Sequence, residues 1–222
     1  MSVIAATAPP PGRVMLERGI ADIWCRHIGE NCKVDQELLS DDEQARADRF
    51  HFQQDRHRFV VARCFLRETL GKYLDADPAS LRFTAGPNGK PSLAKNNELR
   101  FNLSHSGEIV VVAVTAEAEI GVDVEKIRSG VSFDAIAGRY FHPNEARALL
   151  SLPNDEKARE FFVIWTRIEA RLKALGLGLT RGTRLDEQTD WATFSFVPAA
   201  GYVGAVALEN AGATLRYFSW PN

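Results

Sequence analysis

Val111-Val112-Ala113-Val114 is echoed 94 residues later by Ala205-Val206-Ala207-Leu208, and Ala45-Arg46-Ala47 is echoed 101 residues later by Ala146-Arg147-Ala148. Each echo is short, but the order is the same in both places: helical patterning first, then a pair of strands. That shared order predicts an α+β fold of two similar halves with a join near residues 115–120. The expected halves are residues 1–117 and 118–222, with a binding cleft between them, a usual place for a ligand site.

Around these strands the rest of the chain falls into place. Leu99 to Leu103 and Glu108 to Val114 read as strands joined by Ser104-His105-Ser106-Gly107, a short connection containing glycine. Ile120 to Glu125 reads as a further strand, and Phe194 to Val197 with Tyr202 to Leu208 as the matching pair in the second half. Ser40 can cap a helix, with Glu43 at the capping-box spacing. Phe59, Ala62, Leu66, Leu70 and Tyr73 recur at three- and four-residue steps, which makes one apolar helix face. A helical region with a break is therefore expected from Ser40 to about Tyr73. Pro143 opens another, and a longer helix should cover about Asp155 to Leu175. Residues 13–28 carry a weak strand signal. Residues 1–12, ending Pro9-Pro10-Pro11-Gly12, read as a flexible arm.

The 222 residues suit one large domain or two halves of about 110. A chain of this size buries about 70% of its unfolded surface, so it needs no disulfide or metal to fold. Its 27 basic and 29 acidic side chains give a formal charge of −2. That balance argues against a protein whose main business is the nucleic-acid backbone. Cys25, Cys32 and Cys64 form no C-x-x-C pair, and their odd number fits a reducing compartment. The longest aliphatic run, Ile109 to Val114, is too short to span a bilayer. The start MSVIAATAPPPGR lacks the basic and apolar regions of a secretory signal. A cytoplasmic protein with no membrane or nucleic-acid partner is the expectation.

Four short segments and one basic run could carry chemistry. On a strand, Asp123 and Glu125 point to one face, where two carboxylates repel unless a proton or cation separates them. They suit Mg²⁺, or else form a solvated acidic face. On a helix, Glu169 and Lys173 share a face, as a metal ligand or base beside a phosphate-binding lysine, or as a surface ion pair. Ser104 and His105 could bind phosphate, or could bond locally within a turn. Ser104 lacks the G-x-S-x-G setting of an activated nucleophile. Gly86-Pro87-Asn88-Gly89-Lys90-Pro91 presents a lysine after a turn but fails the Walker spacing. The arginines from Arg46 to Arg67 make the first helical region basic, either as a solvated face or as a patch for a phosphorylated ligand.

Taken in order, these segments are more specific. G-x-x-G-K-P at Gly86 to Pro91, F-N-L-S-H-S at Phe101 to Ser106, G-V-D-V-E at Gly121 to Glu125, and W-x-x-x-E-A-x-x-K-x-x-G-x-G-L at Trp165 to Leu179 resemble the 4′-phosphopantetheinyl transferases. Arg49-Phe50 and Asp55 to Phe59 extend the resemblance upstream. The match is to the larger, single-chain class (the surfactin-synthetase-activating type), whose two α+β halves are related by a pseudo-twofold axis. The resemblance implies transfer of the 4′-phosphopantetheine arm of coenzyme A to a serine of an apo-carrier protein, by a monomer. It implies Mg²⁺, with Mn²⁺ as an alternative ion, held by Asp123, Glu125 and Glu169. Glu169 would be the base, and Lys173 would bind the pyrophosphate and steady the departing phosphate. Arg46, Gly89, Lys90, Ser104 and His105 would hold the coenzyme A nucleotide. This chain departs from the family at Ile168, where lysine is common, and at Glu43, where some relatives carry a basic residue. The other readings are a coenzyme A- or carrier-binding relative with weak or lost transfer, and a metal-dependent phosphohydrolase. The latter leaves the G-K-P and S-H-S segments unexplained.

Overall fold

The computed structural model describes residues 7–8, 12–29, 32, 34–95, 98–116, 118–178, 191–209 and 212–220. Most of the expected N-terminal arm, and Leu179 at the end of the last motif, lie outside them. The first half runs β1 (Ile20–His27), α1 (Asp41–Ala47), α2 (Gln53–Leu74), β2 (Phe83–Ala85), β3 (Pro91–Leu93), β4 (Leu99–Ser106) and β5 (Ile109–Ala116). The second runs β6 (Ile120–Lys126), α3 (Phe133–Tyr140), α4 (Pro143–Leu150), α5 (Asn154–Ala174), β7 (Ala192–Phe196) and β8 (Tyr202–Leu208), and β9 (Thr214–Ser219) follows.

In each half the leading strand pairs antiparallel with the second strand of the closing hairpin. This gives the orders β4-β5-β1 and β6-β8-β7. The echo in the sequence is thus a repeat of topology. β9 departs from the repeat: it follows the second half but adds to the first sheet, parallel to β1.

β5 is apolar at every position from Ile109 to Val114 because both of its faces are covered. Val110, Val112 and Val114 pack with Trp24 and with Phe65 and Leu66 of α2. Ile109, Val111 and Ala113, with Ala21 and Ile23, pack against Val122 and Val124 of the second sheet. The inner faces of the two sheets therefore meet, with α2 outside the first and α5 outside the second, where Ala170 and Ala174 lie on Ala205 and Ala207.

The expected helical break falls at residues 48–52, between α1 and α2. Glu43 is buried, accepts the Ser40 backbone N–H, and pairs with Arg63 and Arg67. Burial opposes its ionisation, but Arg63, the Ser40 amide and Arg67 hold its carboxyl below the usual range. Two arginines of the basic run thus answer an internal acid.

One expected loop is strand instead. Ser104, His105 and Ser106 belong to β4, and the turn is Gly107-Glu108 alone, with Gly107 at φ 56°. Serine has little strand preference of its own. What holds this stretch extended is pairing with β5, where Ser104 stands opposite Val111 and Ser106 opposite Ile109. The Gly86–Pro91 loop is the tip of the β2–β3 hairpin.

Candidate active site

β4 and β6 lie side by side where the halves meet, joined by side chains. Asn102 Oδ1 accepts from the Val122 amide (2.9 Å), Ser104 Oγ from Val124 (3.3 Å) and Ser106 Oγ from Lys126 (3.1 Å). Three polar side chains, spaced two apart, thus do what backbone carbonyls do in a sheet.

The remaining face of β6 turns to α5. Gly121 permits this approach: a Cβ there would stand 2.0 Å from the Ala170 carbonyl oxygen and 2.3 Å from the Ala174 nitrogen. The contact brings Asp123 and Glu125 beside Glu169 and Lys173. The Lys173 ammonium donates to Asp123 Oδ1 (2.6 Å) and to Ser104 Oγ (2.9 Å), and the Ser104 hydroxyl donates to the same Asp123 oxygen (2.9 Å). Ser106 donates to Glu125 (2.8 Å), and Arg128 stands 3.7 Å from it.

One ammonium among three carboxylates leaves negative charge uncompensated. Burial, then Asp123 and Glu125, push Glu169 up to about 7 against the pull of Lys173. Burial and Asp123 also raise Glu125, opposed by the Ser106 hydrogen bond. Asp123 is 4% exposed, and its Oδ2 has no hydrogen-bond partner among the described residues. A buried carboxylate oxygen without a donor, beside two carboxyls raised first by burial and then by neighbouring carboxylates, fits an oxygen-ligated dication. As the side chains lie, no three described carboxylate, imidazole or thiol groups are gathered into a cage for an ion.

The other expected residues are distributed around this centre. His105 lies on the strand face opposite Ser104 and is exposed. Partial desolvation, then Lys173 and Arg58, lower its pKa. Lys90 donates to Glu119 (2.6 Å) and to the Ala174 carbonyl at the end of α5 (2.8 Å). There a cation suits the free carbonyls and the helix dipole. Gly89 is in the same hairpin tip, which Asn88 also fastens to the Gly176 carbonyl (2.8 Å). Arg46 is exposed on α1 with its guanidinium over the Phe59 ring. Ile168 packs with the apolar cluster of α3, α4 and α5, and Arg167 turns to Ser195 of β7 (2.8 Å), away from the acids. Asn102, Ser106 and Gly121 were not expected at the site. Their signal was polar side chains at alternate positions of an apolar strand, and a glycine inside a strand.

Comparison with known proteins identifies the family. The family model described as 4′-phosphopantetheinyl transferase, N-terminal, matches residues 28–117, and that of the 4′-phosphopantetheinyl transferase superfamily matches residues 119–219. The chain belongs to this superfamily. It is 38% identical over 197 residues to the 4′-phosphopantetheinyl transferase HetI of Nostoc sp., covering 82% of this chain and 83% of that one. It is 36% identical over 169 residues to a putative 4′-phosphopantetheinyl transferase of Synechocystis sp., covering 75% and 69%. It is 30% identical over 143 residues to the 4′-phosphopantetheinyl transferase Sfp of Bacillus subtilis, covering 64% and 62%. As a phosphopantetheinyl transferase the chain is an enzyme, and its two-half α+β architecture is the one the two family models span.

Proposed function

We propose that this enzyme transfers the 4′-phosphopantetheine arm of coenzyme A to a serine of an apo-carrier protein and releases adenosine 3′,5′-bisphosphate. The observation that supports it most is the joining of Asp123 and Lys173 of the second half with Ser104 of the first, with Glu169 beside them. Glu169 takes the proton of the carrier serine. The serine oxygen bonds to the phosphorus next to pantetheine, and the bridging P–O bond breaks, leaving its electrons on the adenosine-side phosphate. Lys173, held on Asp123 and Ser104, offers its charge to that pyrophosphate.

Asp123, Glu125 and Glu169 would hold Mg²⁺, or Mn²⁺ in its stead, which when bound supplies charge neutralisation to the pyrophosphate oxygens. His105, Arg46, Gly89 and Lys90 would meet the nucleotide end. Lys90 must then exchange Glu119 or the Ala174 carbonyl for phosphate. Halves 1–117 and 118–222 serve one centre, since Ser104 comes from the first and the acids and lysine from the second. A monomer therefore suffices. The three cysteines are free, which supports a cytoplasmic setting, and no described helix is long and apolar enough to cross a membrane.

The test is to incubate the protein with coenzyme A, Mg²⁺ and apo-acyl, polyketide and peptidyl carriers, and to weigh each carrier by mass spectrometry. A gain of one phosphopantetheine is expected on at least one of them. No gain on any, with coenzyme A still bound, would overturn the proposal.

A further inference from the structure

The seam between β4 and β6 advances in steps of two residues, and two of its three steps do more than hold the strands. Ser104 stands beside Asp123 and Ser106 beside Glu125, each pair 19 residues apart. In each pair the serine hydroxyl accepts the amide of the residue after the acid and donates to the acid itself. A hydroxyl has one hydrogen. With the amide on a lone pair, that hydrogen is committed to the carboxylate. Asn102 makes the same seam contact with the Val122 amide, but the residue before Val122 is Gly121, which has no side chain to steer.

The outcome is one occupied and one open oxygen on each acid. Asp123 Oδ1 takes Ser104 and Lys173, and Oδ2 has no donor among the described residues. Glu125 Oε2 takes Ser106 (2.8 Å), with Arg128 3.7 Å away, and Oε1 takes no hydrogen bond among the described residues. Asp123 is short, buried and held by two donors. Glu125 is longer and less buried, and holding it still costs more side-chain entropy. The other bond of Ser106 goes to the amide of Lys126, an exposed residue, where water serves as well. The seam therefore gains little from a serine at 106, whereas Glu125 gains a fixed orientation.

We infer that Ser106 is a positioning residue: it holds Glu125 by one oxygen, leaves the other for the divalent cation, and so sets the affinity of the site. Partners that hydrogen-bond a metal-ligating carboxylate act this way, and their loss weakens metal binding by about 10–100-fold. This role rests on reading Asp123, Glu125 and Glu169 as a cation site.

Ser106→Thr and Ser106→Val are the test. They have nearly the same shape and both suit a strand, so the hydroxyl is what separates them. Mn²⁺ is the probe, its affinity read from the loss of the free ion's electron paramagnetic resonance signal. Ser106→Thr should bind Mn²⁺ as the parent does, and Ser106→Val should bind it about 10-fold more weakly or worse. Equal affinities in the two variants would overturn the inference while leaving the cation site in place. A parent that takes up no Mn²⁺ would overturn the cation reading and this role with it. Should Ser106→Val not fold, Ser106→Ala takes its place against Ser106→Thr and is read the same way.

Discussion

Gly121→Ala places one methyl group where the strand and the helix that carry the catalytic acids touch. Its Cβ would lie 2.0 Å from the Ala170 oxygen, 2.3 Å from the Ala174 nitrogen and 2.9 Å from the Ala174 Cα, whereas ordinary contact begins at 3.4 Å. All three atoms are backbone, so no rotamer change relieves the clash. α5 must move away from β6 by the difference between 3.4 and 2.0 Å, about 1.4 Å. Glu169 and Lys173 flank the displaced residues and move with them, so the 2.6 Å contact of Lys173 with Asp123 opens past hydrogen-bonding reach. Misplacement of about 1 Å costs on the order of 100-fold in rate, and overpacking costs about 1–3 kcal/mol or more. Initial rates of carrier modification, read by mass, and urea unfolding measure the two effects. Gly138→Ala is the control, because a Cβ there meets nothing within 4 Å. A Gly121→Ala protein with a rate within about threefold of the parent and an unchanged unfolding midpoint would refute the reasoning.

Further outcomes follow from the same geometry. Asp123→Asn and Glu169→Gln should each lower transfer by about 100-fold or more, with far-ultraviolet circular dichroism unchanged; near-parental rates in either would remove these residues from the mechanism. Glu169 is raised from 4.5 to about 7 in the folded chain, so the folded state holds the proton more tightly. The stability this contributes is complete below about pH 4.5 and is lost as pH rises to 7. The melting temperature of metal-free protein should fall across that window, and Glu169→Gln should flatten the fall; an identical pH curve for the two proteins would contradict it. Asn102→Ala takes the acceptor from the Val122 amide. It should cost about 1–3 kcal/mol and speed hydrogen exchange at residue 122 more than at residue 206 on the partner strand.

The repeat was legible because each half writes strand, helices and hairpin with nearly the same spacing, and β5 and β8 are apolar on both faces. β9 was not legible. Thr214–Ser219 is only partly buried, and its partner, β1, lies at the far end of the sequence, so nothing local marks the pairing. The carboxylates could be read from strand and helix periodicity, since each pair lies on one element. The residue type leaves Ser104 between phosphate binding and a local turn bond, and the resemblance implies the former. Its bonds to Asp123, Lys173 and the Val124 amide depend on how the two halves meet, which no local pattern records. The same holds for Lys90, whose partners lie 29 and 84 residues away.

β9 also sets an order of events during synthesis. The ribosome makes Arg216 194 residues after Asp22, to which it donates in the finished fold, a delay of about 10–40 s at usual elongation rates. Until then β1 has β5 on one side and an open edge on the other. An unpaired edge of that kind invites a foreign strand, and Asp22 is without its guanidinium. The first half, though made first, is therefore finished last. Slowing translation between β8 and β9 should lengthen the period in which nascent chains are captured by chaperones or by one another.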